Sequence, residues 1–336
     1  MTEIRFCKRN EVELLQKFIR EDWKSDHILG HNKQLLDFQH LDVNNDRYNF
    51  VVGYNQTTGI FDAILGFIPL GHFDPALYQS RHIWLAIWKL VKLRAENLGL
   101  GMSLLEYLKE QHSPLTIGAI GINKDVSMIY RMFGYRVGVL HHYYIANSQK
   151  KEFRVIINPE LHESAHTDTS EFQFQQVEDP VMLEPLFEKN YPNKSAVYYQ
   201  KRYLEHPIYH YQIVGIKKGG VFFAGFVVRR IEILGARVLR IVDFCGNISD
   251  IGNISSEWQK ILQNEDAEYI DFLCGELDQN AITNMGFYLL TDEMVLPNYF
   301  EPFEQRNVHI MYAHNVRNGH YQMFKGDSDQ DRPNIL

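Results

Sequence analysis

The chain has 336 residues, 45% hydrophobic and 23% charged. This is ordinary globular usage that excludes collagen, coiled coil and bulk disorder, at a length that allows two domains with their own cores. The formal net charge is −8 and no long Lys/Arg run occurs, which argues against the basic stripe of a nucleic-acid binder. It does not exclude phosphorylated ligands, because backbone N–H groups can hold phosphate. The N-terminus, MTEIRFCKRNEVELLQ, carries no apolar leader, and the longest apolar stretch, IWLAIWKLV at 83–91, is interrupted by Lys89. A soluble, cytoplasmic protein without a membrane span is expected. Cys7, Cys245 and Cys274 form no CxxC and read as buried thiols of a reducing compartment, with a catalytic cysteine as the alternative.

In chain order, residues 4–7 read as a strand and 10–22 as a helix, with apolar residues at 12, 14, 15, 18 and 19 and Asn10 as N-cap. A second helical patch covers 31–41. Strands follow at 48–54 and 60–70, joined by NQTTG as a hairpin, and a third at 81–92. After LRAENLGLG comes a helix at 102–111 with its apolar face at 104, 105 and 108, ended by Pro114. Residues 115–122 form a buried strand, 125–133 a helix stopped at Gly134, and 135–145 a strand.

Residues 146–171 turn polar and read as a linker. The pattern then restarts. Strands are expected at 172–177, 210–217, 221–230, 237–245 and 268–274, and helices at 180–190, 254–263 and 279–285. Both rounds close alike, on Phe133-Gly134-Tyr135 and Met285-Gly286-Phe287. Element order and this echo predict a repeated fold. The expected division is a first domain at 1–147, a linker at 148–170, a second domain at 171–316 and a tail at 317–336.

The segment Glu96-Asn97-Leu98-Gly99-Leu100-Gly101 lies between a strand and a helix. Glycines there let backbone approach a ligand, and exposed amides with the helix dipole favour a phosphate. Tyr130 stands seven positions after Asn123, and Gly134-Tyr135 follows. A Tyr on a short helix facing a cleft can act as a general acid, or simply pack its ring in the core.

Taken together, the residues from the hairpin to Tyr135 resemble a GNAT N-acetyltransferase, whose Gln/Arg-x-x-Gly-x-Gly/Ala turn is matched by ENLGLG with Glu96 as a departure. The resemblance implies an α/β (α+β type) fold of two GNAT-like domains, each a mixed, mostly antiparallel sheet flanked by helices. It implies acetyl-CoA as co-substrate, with no metal. Its pyrophosphate would meet Gly99, Leu100, Gly101 and Met102 beside Glu96, and Asn123 would hold the pantetheine arm. Tyr130 would protonate the leaving thiolate, and a backbone N–H of 83–91 would stabilise the oxyanion. That strand carries no Asp or Glu to serve as base. Asp26 and His27, and His72 and Asp74, are the nearby candidates, His27 and His72 foremost, with a water chain as the alternative.

The second round has no Gly-x-Gly turn, and Ile282 and Gly275 stand where Tyr130 and Asn123 stand in the first. That copy is expected not to bind CoA productively, and to shape the acceptor site or serve as structure. Tyr198 to His206 and Arg240 to Asp243 suit a sugar or nucleotide acceptor, or else a structural helix and salt bridge. The tail at 325–333 resembles the start of an EF-hand but lacks its Gly and Glu, so calcium is not expected. A disordered end is the plain alternative.

Over its full length the chain resembles tandem-GNAT proteins of bacterial surface-polysaccharide sugar biosynthesis, through Trp23…Asp26-His27-Ile28-Leu29, Arg202…His206-Pro207, Arg240…Asp243-Phe244 and DSDQDRPN. This implies N-acetylation of a nucleotide-linked amino sugar, with Asp26, Arg202, His206, Arg240 and Asp243 binding the acceptor. The alternatives are a Fem-like aminoacyl transferase, a protein or peptide N-acetyltransferase, and a non-catalytic acetyl-CoA sensor. Aromatic strand edges are compatible with a homodimer.

Overall fold

The computed structural model describes residues 2–91, 99–161 and 171–335. The chain divides into two compact units. The first comprises 1–136, 313–315 and 328–336, and the second 137–312 and 316–327. Among the described residues, no helix is long and apolar enough to cross a membrane.

In the first unit, β1 (Thr2–Lys8) is followed by α1 (Val12–Phe18), α2 (Ile28–His31) and α3 (Lys33–His40). Asn10 lies inside a 3-10 turn at Arg9–Glu11 and caps nothing; Glu11 takes the capping position and is paired with Arg5 at 2.6 Å. Then come β2 (Leu41–Asp42), β3 (Arg47–Asn55), β4 (Ile60–Pro69), β5 (His82–Leu90), α4 (Leu100–His112), β6 (Thr116–Ile122) and α5 (Lys124–Met132). The sheet order is β1-β3-β4-β5-β6, with β2 pairing β3. Neighbours are antiparallel except β5 and β6, which are parallel. α4 buries Leu104, Leu105 and Leu108, the stripe its periodicity predicts.

The second unit begins at Val137, not after a linker. The expected strand at 135–145 breaks into β7 (Arg136–Val139) and β8 (His141–Ala146), and β8 pairs antiparallel with β13 (Ala267–Gly275). The first part of the candidate linker is packed chain. The amides of Arg154, Val155 and Ile156 donate to the Glu268 carboxylate at 2.6, 3.0 and 3.3 Å, and Val155 and Ile156 are buried. Residues 162–170 lie outside the described residues.

The rest of the unit contains β9 (Phe172–Gln176), α6 (Glu184–Phe187), α7 (Ala196–Tyr199), β10 (Tyr211–Lys218), β11 (Val221–Ile233), β12 (Ala236–Gly246), α8 (Ser255–Asn264), α9 (Gln279–Asn284) and β14 (Tyr288–Leu289). Sheet order is β14-β8-β13-β12-β11-β10-β9. The expected helix at 180–190 is shorter, a 3-10 turn at Pro180–Leu183 and then four residues of α6. Pro185 has no N–H to continue an α-helical ladder. The core gathers Phe226, Phe244, Trp258 and Phe272 between sheet and helices.

Candidate functional site

The first unit opens where its parallel strands part. β5 and β6 pair from His82↔Thr116 to Leu85↔Ala119, yet β5 continues to Leu90 and β6 to Ile122. On its other edge β5 is paired with β4 at Leu65↔Trp88 and Phe67↔Leu85. Ala86 and Ile87 therefore stand opposite the single residue Gly66, a bulge that withdraws amides from the ladder at the point of divergence.

α4 starts beside this fork. Gly99 caps it at φ +84°, in the left-handed region that glycine tolerates. Ser103 N bonds Gly99 O at 3.0 Å, while the N–H groups of Leu100, Gly101 and Met102 fall in the first turn, which has no intrahelical acceptors. A Cβ on Gly101 would lie 3.1 Å from Leu90 Cδ1 and 3.3 Å from Trp88 Nε1. That Trp88 Nε1 is itself buried with no hydrogen-bond partner among the described residues. Glu96 lies outside the described residues.

Tyr130 is buried on α5, with ring centroids 6.0 Å from Trp88 and 5.1 Å from Tyr135. Burial, with Tyr135 beside it, pushes its hydroxyl well above the usual tyrosine range, so it stays protonated. Asn123 is the N-cap of α5, its Oδ1 accepting from Val126 N at 2.8 Å. Local structure thus accounts for one side of its amide.

The two candidate bases are differently placed. His27 caps α2, its Nδ1 accepting from Leu29 N at 3.3 Å. It is buried, with its ring 4.3 Å from that of Trp23. Burial first, and then Arg332, lower its pKa to about 2, so it is a weak base at neutral pH. His72 donates from Nε2 to Phe38 O at 2.8 Å, which leaves Nδ1 as the acceptor side, 3.5 Å from Asn49 Nδ2. Asp26 is an exposed residue 3.7 Å from Lys24 Nζ.

Sequence reasoning missed the company His27 keeps. The C-terminal segment is not a disordered end: Ser328, Asp329, Asp331 and Arg332 are buried. Asp329 accepts from Arg332 Nη2 at 3.0 Å. Burial opposes its charge, but the guanidinium and nearby His40 hold its carboxyl below the usual range. Asn334 O accepts from Ile28 N at 3.0 Å, and Ile335 bridges His27. His40 lies fully buried with Nδ1 3.3 Å from Phe67 O, and burial lowers its pKa to about 3. The alternation of Asp with Ser and Gln in DSDQDRPN was the available signal, and it looks like that of a solvated tail.

The residues expected to bind an acceptor in the second unit are committed internally. Arg240 donates to Asp271 from Nε at 3.0 Å and Nη2 at 2.6 Å, and to the carbonyls of Asn298 (2.8 Å) and Pro297 (3.2 Å). It is a buried structural salt bridge between β12 and β13, with His142 on the other side of Asp271 at 2.8 Å. His206 Nδ1 accepts from the amides of Ile208 and Tyr209 at 3.2 and 2.9 Å, capping a turn. Asp243 is fully buried against Lys194 Nζ at 2.6 Å, and Lys194 also meets Asp327 at 2.7 Å. Arg202 donates to Gly326 O at 3.1 Å.

Arg202, through Gly326, and Asp243, through Lys194 and Asp327, fasten a segment that fills the second fork. β12 and β13 are parallel to Ile241↔Phe272. Beyond that rung, Gly326 N donates to Val242 O at 2.7 Å and Lys325 N to Leu273 O at 3.2 Å, while Phe324 and Met323 pair with Cys274 and Gly275. The chain's own backbone occupies the opening. The three cysteines are buried thiols, and burial pushes each well above the usual thiol range, against a nucleophilic role.

No family model and no curated protein sequence matches the chain. Among solved structures, it is similar to a GCN5-related N-acetyltransferase from Anabaena variabilis ATCC 29413, with TM-score 0.54 and 10% identity over 94% of this chain and 72% of that one. It is also similar to a conserved protein of unknown function from Enterococcus faecalis V583, described as a probable N-acyltransferase, with TM-score 0.54 and 8% identity over 93% and 72% of the two chains. At these identities the likeness is one of fold, and the fold is two GNAT-like units, as the sequence resemblance implied.

Proposed function

We propose that this GNAT-fold chain is an acyl-CoA-dependent N-acyltransferase whose one working site is the fork of the first unit. The parting of β5 from β6 beside a glycine-capped helix is the observation that carries this reading. A pantetheine arm fits between diverging strands, which have backbone groups to offer. A pyrophosphate fits the amides of Leu100, Gly101 and Met102, where a side chain at 101 would crowd Leu90 and Trp88. Trp88 Nε1 is a buried donor without an acceptor among the described residues at this place.

In the transfer itself, the acceptor amine attacks the thioester carbonyl. The C–N bond forms and the C–S bond breaks, with negative charge developing on the carbonyl oxygen. The amides freed at the Ala86–Ile87 bulge stabilise that charge. Tyr130, held protonated, gives its proton to the departing thiolate. Of the candidate bases His72 takes the amine's proton, since His27 with a pKa of about 2 would not retain one at neutral pH. Asn123, with Oδ1 spent on its cap, retains an NH₂ group for the pantetheine amides.

The acetyl group and a nucleotide-linked amino sugar acceptor are the finer proposal, and the acceptor rests on the sequence resemblance alone. Arg202 and Arg240, the cations that would hold its phosphates, are fastened within the second unit. Release of free thiol from acetyl-CoA would be followed against nucleotide-linked amino sugars, spermidine and a lysine peptide. Release with one sugar supports the whole proposal. Release only with spermidine or peptide overturns the sugar and keeps the transferase. Binding of acetyl-CoA without release from any amine favours a sensor.

A further inference from the structure

We propose that the turn at Ser328–Gln330 plugs the apex of the first fork and restricts the acyl group to a short one. The inference rests on acyl-CoA lying in that fork, and it assigns the acyl-chain specificity of the site to the C-terminal segment.

The placement is fixed at two points. Ser328 Oγ donates at 3.0 Å to the carbonyl of Leu85, the last residue of β5 paired with β6. Gln330 lies against Gly121, two residues past the last paired residue of β6, Ala119. A Cβ built on Gly121 would stand 2.6 Å from Gln330 Oε1 and 2.7 Å from Nε2, and Gly121 itself has φ +77°. Gln330 is therefore seated in the space that a side chain on β6 would otherwise fill. One residue touches each strand of the fork just where the strands separate.

The turn is held firmly. Gln330 Nε2 donates to Asp329 Oδ1 at 3.3 Å, and Asp329 is locked to Arg332. Arg332 Nη1 donates to Pro333 O and to Asn334 Oδ1, each at 3.2 Å. Asn334 O in turn receives Ile28 N. A thioester whose pantetheine runs from the α4 amides along β5 points its acyl chain at this apex. An acetyl group ends before the turn. A longer chain has to displace a hydrogen-bonded amide or stop short of the catalytic position.

Calorimetric titration of the full chain with CoA, acetyl-CoA, butyryl-CoA and hexanoyl-CoA tests this without an acceptor. In an open apolar channel each added methylene gains about fourfold in affinity. The plug predicts the opposite order, with acetyl-CoA bound at least about tenfold more tightly than hexanoyl-CoA. Gln330→Ala brings the two within about threefold and leaves acetyl-CoA affinity within about threefold of the parent. Gln330→Met, which retains the bulk, keeps the discrimination and so separates plugging from hydrogen bonding. Equal affinity for acetyl- and hexanoyl-CoA in the parent, or an unchanged ratio in a folded Gln330→Ala variant, would overturn the inference. If the folded parent binds none of the four compounds, the acyl-CoA reading fails and takes the inference with it.

Discussion

The two units contain the same device with opposite outcomes. Each has a parallel strand pair in a mostly antiparallel sheet, and each pair separates after a few rungs, at Leu85↔Ala119 in the first and Ile241↔Phe272 in the second. Past the first apex stands a glycine-capped helix with first-turn amides; past the second, main-chain hydrogen bonds from Met323 to Gly326 continue the sheet. A fork closed by backbone has no groups left to offer a pantetheine arm. On the function proposed above, CoA is left to the first fork: closure by backbone is a physical reason against the second beyond its missing motif residues, and the ion pairs of Lys194 serve that closure.

The closure is the feature most sensitive to mutation. Lys194 is buried between Asp243 and Asp327. Burial pushes Asp327 up to about 6, with Asp243 adding to this and Lys194 pulling it back. Lys194→Met leaves two facing carboxylates without a cation and should cost about 3–5 kcal/mol in denaturant unfolding. Acetyl-CoA affinity of the folded fraction should stay within about twofold, because the fork proposed to bind it is the other one. In the first unit, Gly101→Asp places a side chain and a negative charge in the cradle. It should weaken acetyl-CoA at least about 100-fold by calorimetry of the folded fraction, and its crowding of Leu90 and Trp88 should also lower the melting temperature. Tyr130→Phe should lower turnover about 100-fold while acetyl-CoA still binds; an unchanged rate removes Tyr130 from the mechanism.

A subtler contrast is acid sensitivity. His27 and His40, with pKa lowered by burial to about 2 and 3, are neutral in the folded first unit but protonate near 6.5 when unfolded. Between those values the unfolded chain binds more protons, so stability falls as pH drops from about 6.5, by up to roughly 1.4 kcal/mol per pH unit for each histidine. In the second unit burial lowers His142 as well, so part of this sensitivity is shared, while Arg240 and then His142 hold Asp271 below its usual range against its burial. That stability is present above pH 4 and lost only further into acid. His40→Gln should flatten the stability profile between about pH 4 and 6 while leaving the strongly acid limb.

Much of the element order was legible because both halves obey local rules. The 104, 105, 108 stripe of α4 and the alternation of β3 and β4 show in the sequence, and the ENLGLG turn marks the helix start. What was hidden is long-range. Arg240 and Asp243 have the chemistry of a binding site, and only the packing of β12 on β13 and the distant Lys194 show that their bonds are spent. Nothing local says that DSDQDRPN folds back more than 200 residues to Leu85, since the bond to Leu85 and the seat on Gly121 that bury it lie outside any window. The linker was misplaced for the same reason, because Glu268 holds residues 154–156 from across the sequence.

The most direct test of the account is the stoichiometry of acetyl-CoA binding measured by calorimetry on the intact chain and on Gly101→Asp. One site per chain, lost in the folded fraction of the variant, is the predicted result. No binding to the intact chain, two sites, or one site that survives Gly101→Asp would contradict the assignment of the first fork as the working one.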